Sequence, residues 1–147
     1  MDKDLTVGIL VDFMAHGGMT PEEEMDFIEM EVKDFLPGFS INFEREVRPH
    51  DLKNKPIDMY VFDFGGLLPG CDGLLSSMYG ELLTQIEDRP NVLFLIWSTI
   101  SKIYLKDEIL DRFDDEKVCP NVIYNLGYSE RGQMIKGIRE WFEGAKS

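Results

Sequence analysis

An apolar run that ends on a carboxylate, Met59-Tyr60-Val61-Phe62-Asp63, constrains this chain more than any other segment. Beyond Phe64 it enters a glycine-rich turn, Gly65-Gly66-Leu67-Leu68-Pro69-Gly70-Cys71-Asp72-Gly73, and a helical pattern opens after that. A strand apolar on both faces belongs inside a parallel sheet covered by helices. An Asp pushed out at its C-terminal end stands where open α/β sheets build their sites. Val7-Gly8-Ile9-Leu10-Val11-Asp12 repeats the pattern earlier in the chain. If the two strands are neighbours, Asp12 and Asp63 share one crevice.

The remaining elements follow from periodicity and punctuation. Residues 5–13 read as a strand buried on both faces. Thr20 is a good N-cap, Pro21 suits the first helical position and Glu23 completes a capping box. Met25, Ile28, Val32 and Phe35 repeat at helical spacing until Pro37-Gly38 stops the helix. Ile41, Phe43 and Val47 alternate with Asn42, Glu44 and Glu46, the pattern of an edge strand with one wet face. Residues 48–56 read as a loop or at most one helical turn. Ile57 to Phe64 is a second buried strand, and Leu74, Leu75, Met78, Leu82, Leu83 and Ile86 mark an amphipathic helix ended by Pro90. Asn91 to Trp97 is a third buried strand, followed by Ser98-Thr99. Leu105, Ile109, Leu110 and Phe113 predict a helix, Val122 to Leu126 a more polar strand, and Ile135, Ile138, Trp141 and Phe142 a last helix. Strands alternating with helices argue for one domain over residues 1–147, a three-layer α/β/α fold with a five-stranded parallel sheet in the order 2-1-3-4-5.

Charge and composition narrow the partners. The formal net charge is −13, from 28 Asp and Glu against 15 Lys and Arg, and phosphate backbones repel such a surface. Direct nucleic-acid binding is therefore not expected, whereas a basic protein, a bound cation or simple solubility fits. No apolar run approaches the ~20 residues that cross a bilayer, and the charged start Met1-Asp2-Lys3-Asp4 lacks a leader pattern. A cytoplasmic protein is the expectation. Most apolar residues fall on core stripes, but Phe27, Met30 and Met19 do not match the inward face of the first helix. They form a candidate contact surface, and the first or last helix is the expected face for a partner or a homodimer.

On these residues the chain resembles a response-regulator receiver domain, a flavodoxin-like fold. Ile9-Leu10-Val11-Asp12 is similar to the end of that family's first strand, where acidic residues help to bind Mg²⁺. Pro56-Ile57-Asp58-Met59-Tyr60-Val61-Phe62-Asp63 resembles its third strand, which ends on the phosphoacceptor Asp, and Pro69-Gly70-Cys71-Asp72-Gly73 resembles the turn that follows. Ser98 or Thr99 falls where the family keeps the hydroxyl that senses the phosphoryl group. The resemblance implies Asp63 as phosphoacceptor, Asp12 and Asp63 as Mg²⁺ ligands, and Ser98 and Thr99 as sensors. Four features depart from the pattern. Pro69 comes six residues after Asp63, where the family places its Pro four after; Phe13 stands where a second acid is usual; Asn125-Leu126-Gly127-Tyr128 replaces the family's Lys at the end of strand 5; and the helix between strands 2 and 3 is lost. Lys102, just after strand 4, is a candidate substitute for that cation.

The reading that results is a regulatory protein-interaction module for signalling, a degenerate receiver with no cofactor, whose output is binding and not turnover. A Mg²⁺-dependent phosphoacceptor acting through Asp63 is the alternative, as is a small hydrolase using the same carboxylate crevice. An acidic decoy that mimics nucleic acid is weakened by the interspersed cations. Other signals are slight. Gly17-Gly18 precedes a helix, but Glu22, Glu23 and Glu24 in its first turn repel phosphate, and no nucleotide-binding spacing is present. His16 and His50 follow strands without ligand spacing, and Cys71 precedes a helix with no His or Arg beside it in sequence. Cys119, before Pro120, sits in a connector.

Overall fold

A computed structural model describes residues 3–11, 20–65, 73–98, 121–125 and 131–144 of the chain. Its strands are β1 (Lys3–Val11), β2 (Phe39–Arg45), β3 (Met59–Gly65), β4 (Leu93–Ser98) and β5 (Val122–Asn125). Its helices are α1 (Pro21–Phe35), α2 (Gly73–Asp88) and α3 (Arg131–Gly144), with a short 3-10 turn at Pro49–Lys53. All strand pairs are parallel and the order is β2-β1-β3-β4-β5, the flavodoxin-like arrangement. The two mixed strands take the edges and the three fully apolar ones the centre. The helix expected at residues 105–113 lies outside the described residues.

Alternation along the central strands divides the core into two layers, because successive side chains point to opposite faces. Val7, Ile9, Val11, Met59, Val61, Leu93 and Leu95 pack with Met25, Ile28, Val32 and Phe35 of α1 and with Met134 and Ile138 of α3. Leu10, Tyr60, Phe62, Phe94 and Ile96 pack against Leu82, Leu83 and Ile86 of α2. Val47, Leu52 and Ile57, from the segment between β2 and β3, complete this second layer. Helices thus cover both faces, which a parallel sheet requires.

Local chemistry sets the element ends. The Thr20 hydroxyl accepts from the Glu23 N–H at 3.1 Å, while the Glu23 carboxylate accepts from the Thr20 N–H at 2.9 Å, so the capping box is complete. Strand β2 ends at Arg45 because Glu46 adopts a φ of 58°, in the left-handed region. The chain returns to β1 one residue later, where the Val47 N–H donates to the Ile9 carbonyl at 3.0 Å. Between β2 and β3, Pro49 opens a turn too short for a helix, and the Asp51 carboxylate accepts from the Arg48 N–H at 3.2 Å. Leu52 projects from this turn into the α2 layer, and the Tyr60 hydroxyl donates to the Val47 carbonyl at 2.5 Å. This single turn stands where a doubly wound fold would place a helix.

Candidate functional site

Register decides which residues share the C-terminal edge of the sheet. Val11 of β1 pairs with Asp63 of β3, Asp63 pairs with Trp97 of β4, and Trp97 pairs with Asn125 of β5. These four positions form one row across adjacent strands, about 4.8 Å apart from strand to strand. Asp63 therefore stands one strand from the residue that precedes Asp12, and two strands from Asn125. Asp12 itself, with His16, Thr99 and Lys102, lies outside the described residues, as do Cys71, Asp72 and Cys119.

The β3–β4 pairing shifts directly after Asp63. Asp63 faces Trp97 and Gly65 faces Ser98, so two residues advance on β3 for one on β4 and Phe64 is the extra residue. Such a bulge bends the strand and re-aims side chains, and bulges recur beside sites for that reason. It places the Ser98 backbone opposite Gly65, one step beyond the carboxylate. Asp63 is 2% exposed, one of only three buried polar residues among those described, together with Gln85 and Asn121. The row thus brings Asp63 and Ser98 to the same edge, with Asp63 turned into the protein.

The second Asp of β3's approach has a different task. At the opposite end of the sheet, the Asp58 carboxylate accepts from the Thr6 N–H at 2.8 Å, and the Asp58 N–H donates to the Thr6 carbonyl at 2.8 Å. The Asp58 carbonyl accepts from the Leu93 N–H at 3.1 Å. Asp58 thereby ties β1 to the start of β3 and β4.

His50 is an exposed residue of the 3-10 turn, with Nε2 at 3.2 Å from Asp51 Oδ1. Among the described residues, no group of three or more His, Cys, Asp or Glu side chains is arranged to hold a metal. Asp63 is the one described carboxylate in the row. Mg²⁺ accepts one or two carboxylates with waters, so a Mg²⁺ site here would draw on Asp63 and Asp12. No described helix is long and apolar enough to cross a membrane.

Several polar residues carry no legible sequence signal. Asn121, 1% exposed, donates through its side-chain amide to the carbonyls of Ile86 at 3.2 Å, Arg89 at 3.0 Å and Val92 at 3.1 Å. Its own carbonyl accepts from the Phe94 N–H at 2.8 Å, so it ties the end of α2 and the start of β4 to β5. Arg131 of α3 grips Glu31 of α1 with two bonds of 2.6 and 3.0 Å and lies 5.1 Å from the Phe35 ring centroid. Arg139 donates to the Phe35 carbonyl at 2.8 Å, at the end of α1. These contacts join residues far apart in sequence, up to 104 positions, beyond the reach of local pattern.

No family model, curated protein or solved structure matches this chain.

Proposed function

We propose that this chain is a regulatory protein-interaction module on a receiver-like scaffold, acting by binding and not by phosphotransfer. The observation that carries the reading is the burial of Asp63, 2% exposed at the end of the central strand. A carboxylate must present an oxygen to a phosphorus atom to act as nucleophile, and a closed carboxylate does not. Two features agree with this. The β5 position in its row is Asn125, which brings no cation to neutralise a phosphoryl oxygen. The segment between β2 and β3 is a 3-10 turn where the family has a helix.

Incubation with acetyl phosphate and Mg²⁺, read by intact mass, tests the proposal. Unmodified protein is expected, along with an amide spectrum unchanged by beryllofluoride. One phosphoryl group per chain, lost in Asp63→Asn, would overturn it.

A second reading, a Mg²⁺-dependent phosphoacceptor, draws support from the register itself. Val11 lies beside Asp63 and Ser98 lies opposite Gly65 along the backbone, which is in keeping with that chemistry. In that case Asp63 is the nucleophile, Asp12 a metal ligand, and Ser98 or Thr99 the sensor. A melting temperature that rises with Mg²⁺ in the wild type, and not in Asp63→Asn, would favour it.

A further inference from the structure

Among the described residues, the first helix is packed on three sides and exposes part of its fourth. Met25, Ile28, Val32 and Phe35 are buried against the sheet. On the β2 side, Arg45 bonds Glu29 at 2.7 Å and also bonds Asp26, which hold its guanidinium above its ordinary pKa, with the Glu29 bond the larger cause. Lys33 leans the same way, its ammonium 5.8 Å from the Phe43 ring centroid. On the α3 side, Arg131 holds Glu31. What faces outward is Phe27, 39% exposed, and Met30, 54% exposed, the exposed large apolar side chains among the described residues.

Phe27 and Met30 are three positions apart and so lie on one face, one turn from each other. Glu23 stands four residues before Phe27 and Asp34 four after Met30, on the same stripe, and both are exposed. Glu22 and Asp26 are exposed beside them. Arg45, Lys33 and Arg131, the described cations nearest this face, are engaged within the molecule. The result is an apolar pair framed by carboxylates at both ends.

We infer that this outward face of α1 docks a basic amphipathic helix of a partner protein, an inference that rests on the binding-module reading and names its partner chemistry. Apolar side chains one turn apart on the partner would cover Phe27 and Met30, while its flanking Lys or Arg side chains would meet Glu22, Glu23 and Asp34. A second copy of this chain fits poorly. Two-fold pairing along α1 would set Glu23 of one copy against Asp34 of the other, like charge on like charge. Anionic lipid and nucleic acid are disfavoured by the same carboxylates.

The test uses the full chain and three synthetic peptides: a Leu/Lys helix with one apolar stripe, a shuffled peptide of the same composition, and a Leu/Glu helix with the same stripe. The striped basic peptide should bind about tenfold or more tighter than the shuffled one and move the amide signals of α1. The acidic peptide should not bind. The double variant Phe27→Ser/Met30→Ser should retain its circular dichroism and melting temperature yet lose the preference for the stripe, and Asp34→Lys should weaken binding. Equal affinity for the shuffled peptide, signal changes centred away from α1, indifference to the double variant, or self-association through α1 would each overturn the inference. Acetyl phosphate labelling keeps the two proposals apart. Labelled protein that still docks the peptide on α1 sinks the binding-only reading alone; unlabelled protein that does not dock it sinks this inference alone.

Discussion

At Asn121, one side-chain amide nitrogen lies within 3.2 Å of three carbonyl oxygens, one at the end of α2 and two in its connection to β4. An amide offers two N–H groups, so at least one is shared between acceptors. Truncation to Ala would strip all three carbonyls of this donor in a buried place, and a cost of about 2–4 kcal/mol is expected in urea melts. Asn121→Asp should cost more, because it aims a carboxylate oxygen at the same lone pairs. Asn91→Ala, at an exposed position in the same connection, is the control and should be nearly neutral. Tyr60 gives a second residue-scale prediction, this time with a pH signature. Burial, and to a smaller degree the Asp51 carboxylate, holds its hydroxyl well above the ordinary value of 10.0. The unfolded chain therefore releases this proton first as pH rises, and above about pH 10 the folded state binds more protons than the unfolded one. Stability contributed by the neutral hydroxyl is present below that pH and is lost above it. Tyr60→Phe should lower stability near neutral pH by about 0.5–2 kcal/mol through the lost bond to Val47, yet show a shallower decline in alkaline melts. A variant that declines as steeply as the wild type would refute the assignment.

At the scale of elements, α1 shows how far local chemistry reaches. Thr20, Pro21, Glu23 and the stop at Pro37-Gly38 are all close in sequence to what they govern, so both ends of this helix are legible in the residues alone. Thr20→Ala breaks both halves of the capping box and should cost about 0.5–2 kcal/mol, while Thr20→Asp, which keeps an acceptor at the cap, should recover most of it. A helix-start signal in the amide spectrum that is unchanged in Thr20→Ala would refute the cap's role. Sheet order is legible for a related reason: three continuous apolar runs demand the interior, and two alternating ones accept the edges. What stays hidden depends on partners distant in the chain or on backbone angles that the residue type does not announce. Strand β2 begins at Phe39 and stops at Arg45, where alternation from Ile41 to Val47 places it later, because a Glu at position 46 gives no hint of a positive φ. The shift in β3–β4 pairing at Phe64 is likewise silent, since it belongs to the register of two strands distant in sequence. Asp63 is readable as the end of an apolar run, and its neighbours in the row follow from order and register. Its burial does not, because depth is set by all the layers together.

For the whole molecule, the net charge of −13 sets two responses to salt that run in opposite directions. Excess like charge destabilises the compact state by self-repulsion acting over the full width of the molecule. Among the described residues the attractive pairs are close: Arg45 with Asp26 and Glu29, Arg131 with Glu31, Lys55 with Glu44, and Lys53 with Glu81. Exposed pairs of this kind contribute only ~0–1 kcal/mol each. Screening acts on separation, with a Debye length of ~10 Å at 0.1 M salt. Charges facing each other across the domain are then screened strongly, while groups in direct contact are screened little. Repulsion should therefore fade before the pairs do, and the melting temperature should rise as NaCl goes from about 0.01 to about 0.2 M, where the screening length shrinks the most. Chloride is the salt to use, because sulfate would raise the melting temperature by exclusion from the surface whatever the charge. Docking of a basic helix on α1 should weaken over the same range, since attraction between opposite surfaces is lost by the same screening. Thermal melts and peptide titrations in one salt series measure both slopes. A melting temperature that falls with NaCl would mean that the paired contacts outweigh the net charge, and a peptide affinity insensitive to salt would mean that Phe27 and Met30 act without their carboxylate frame.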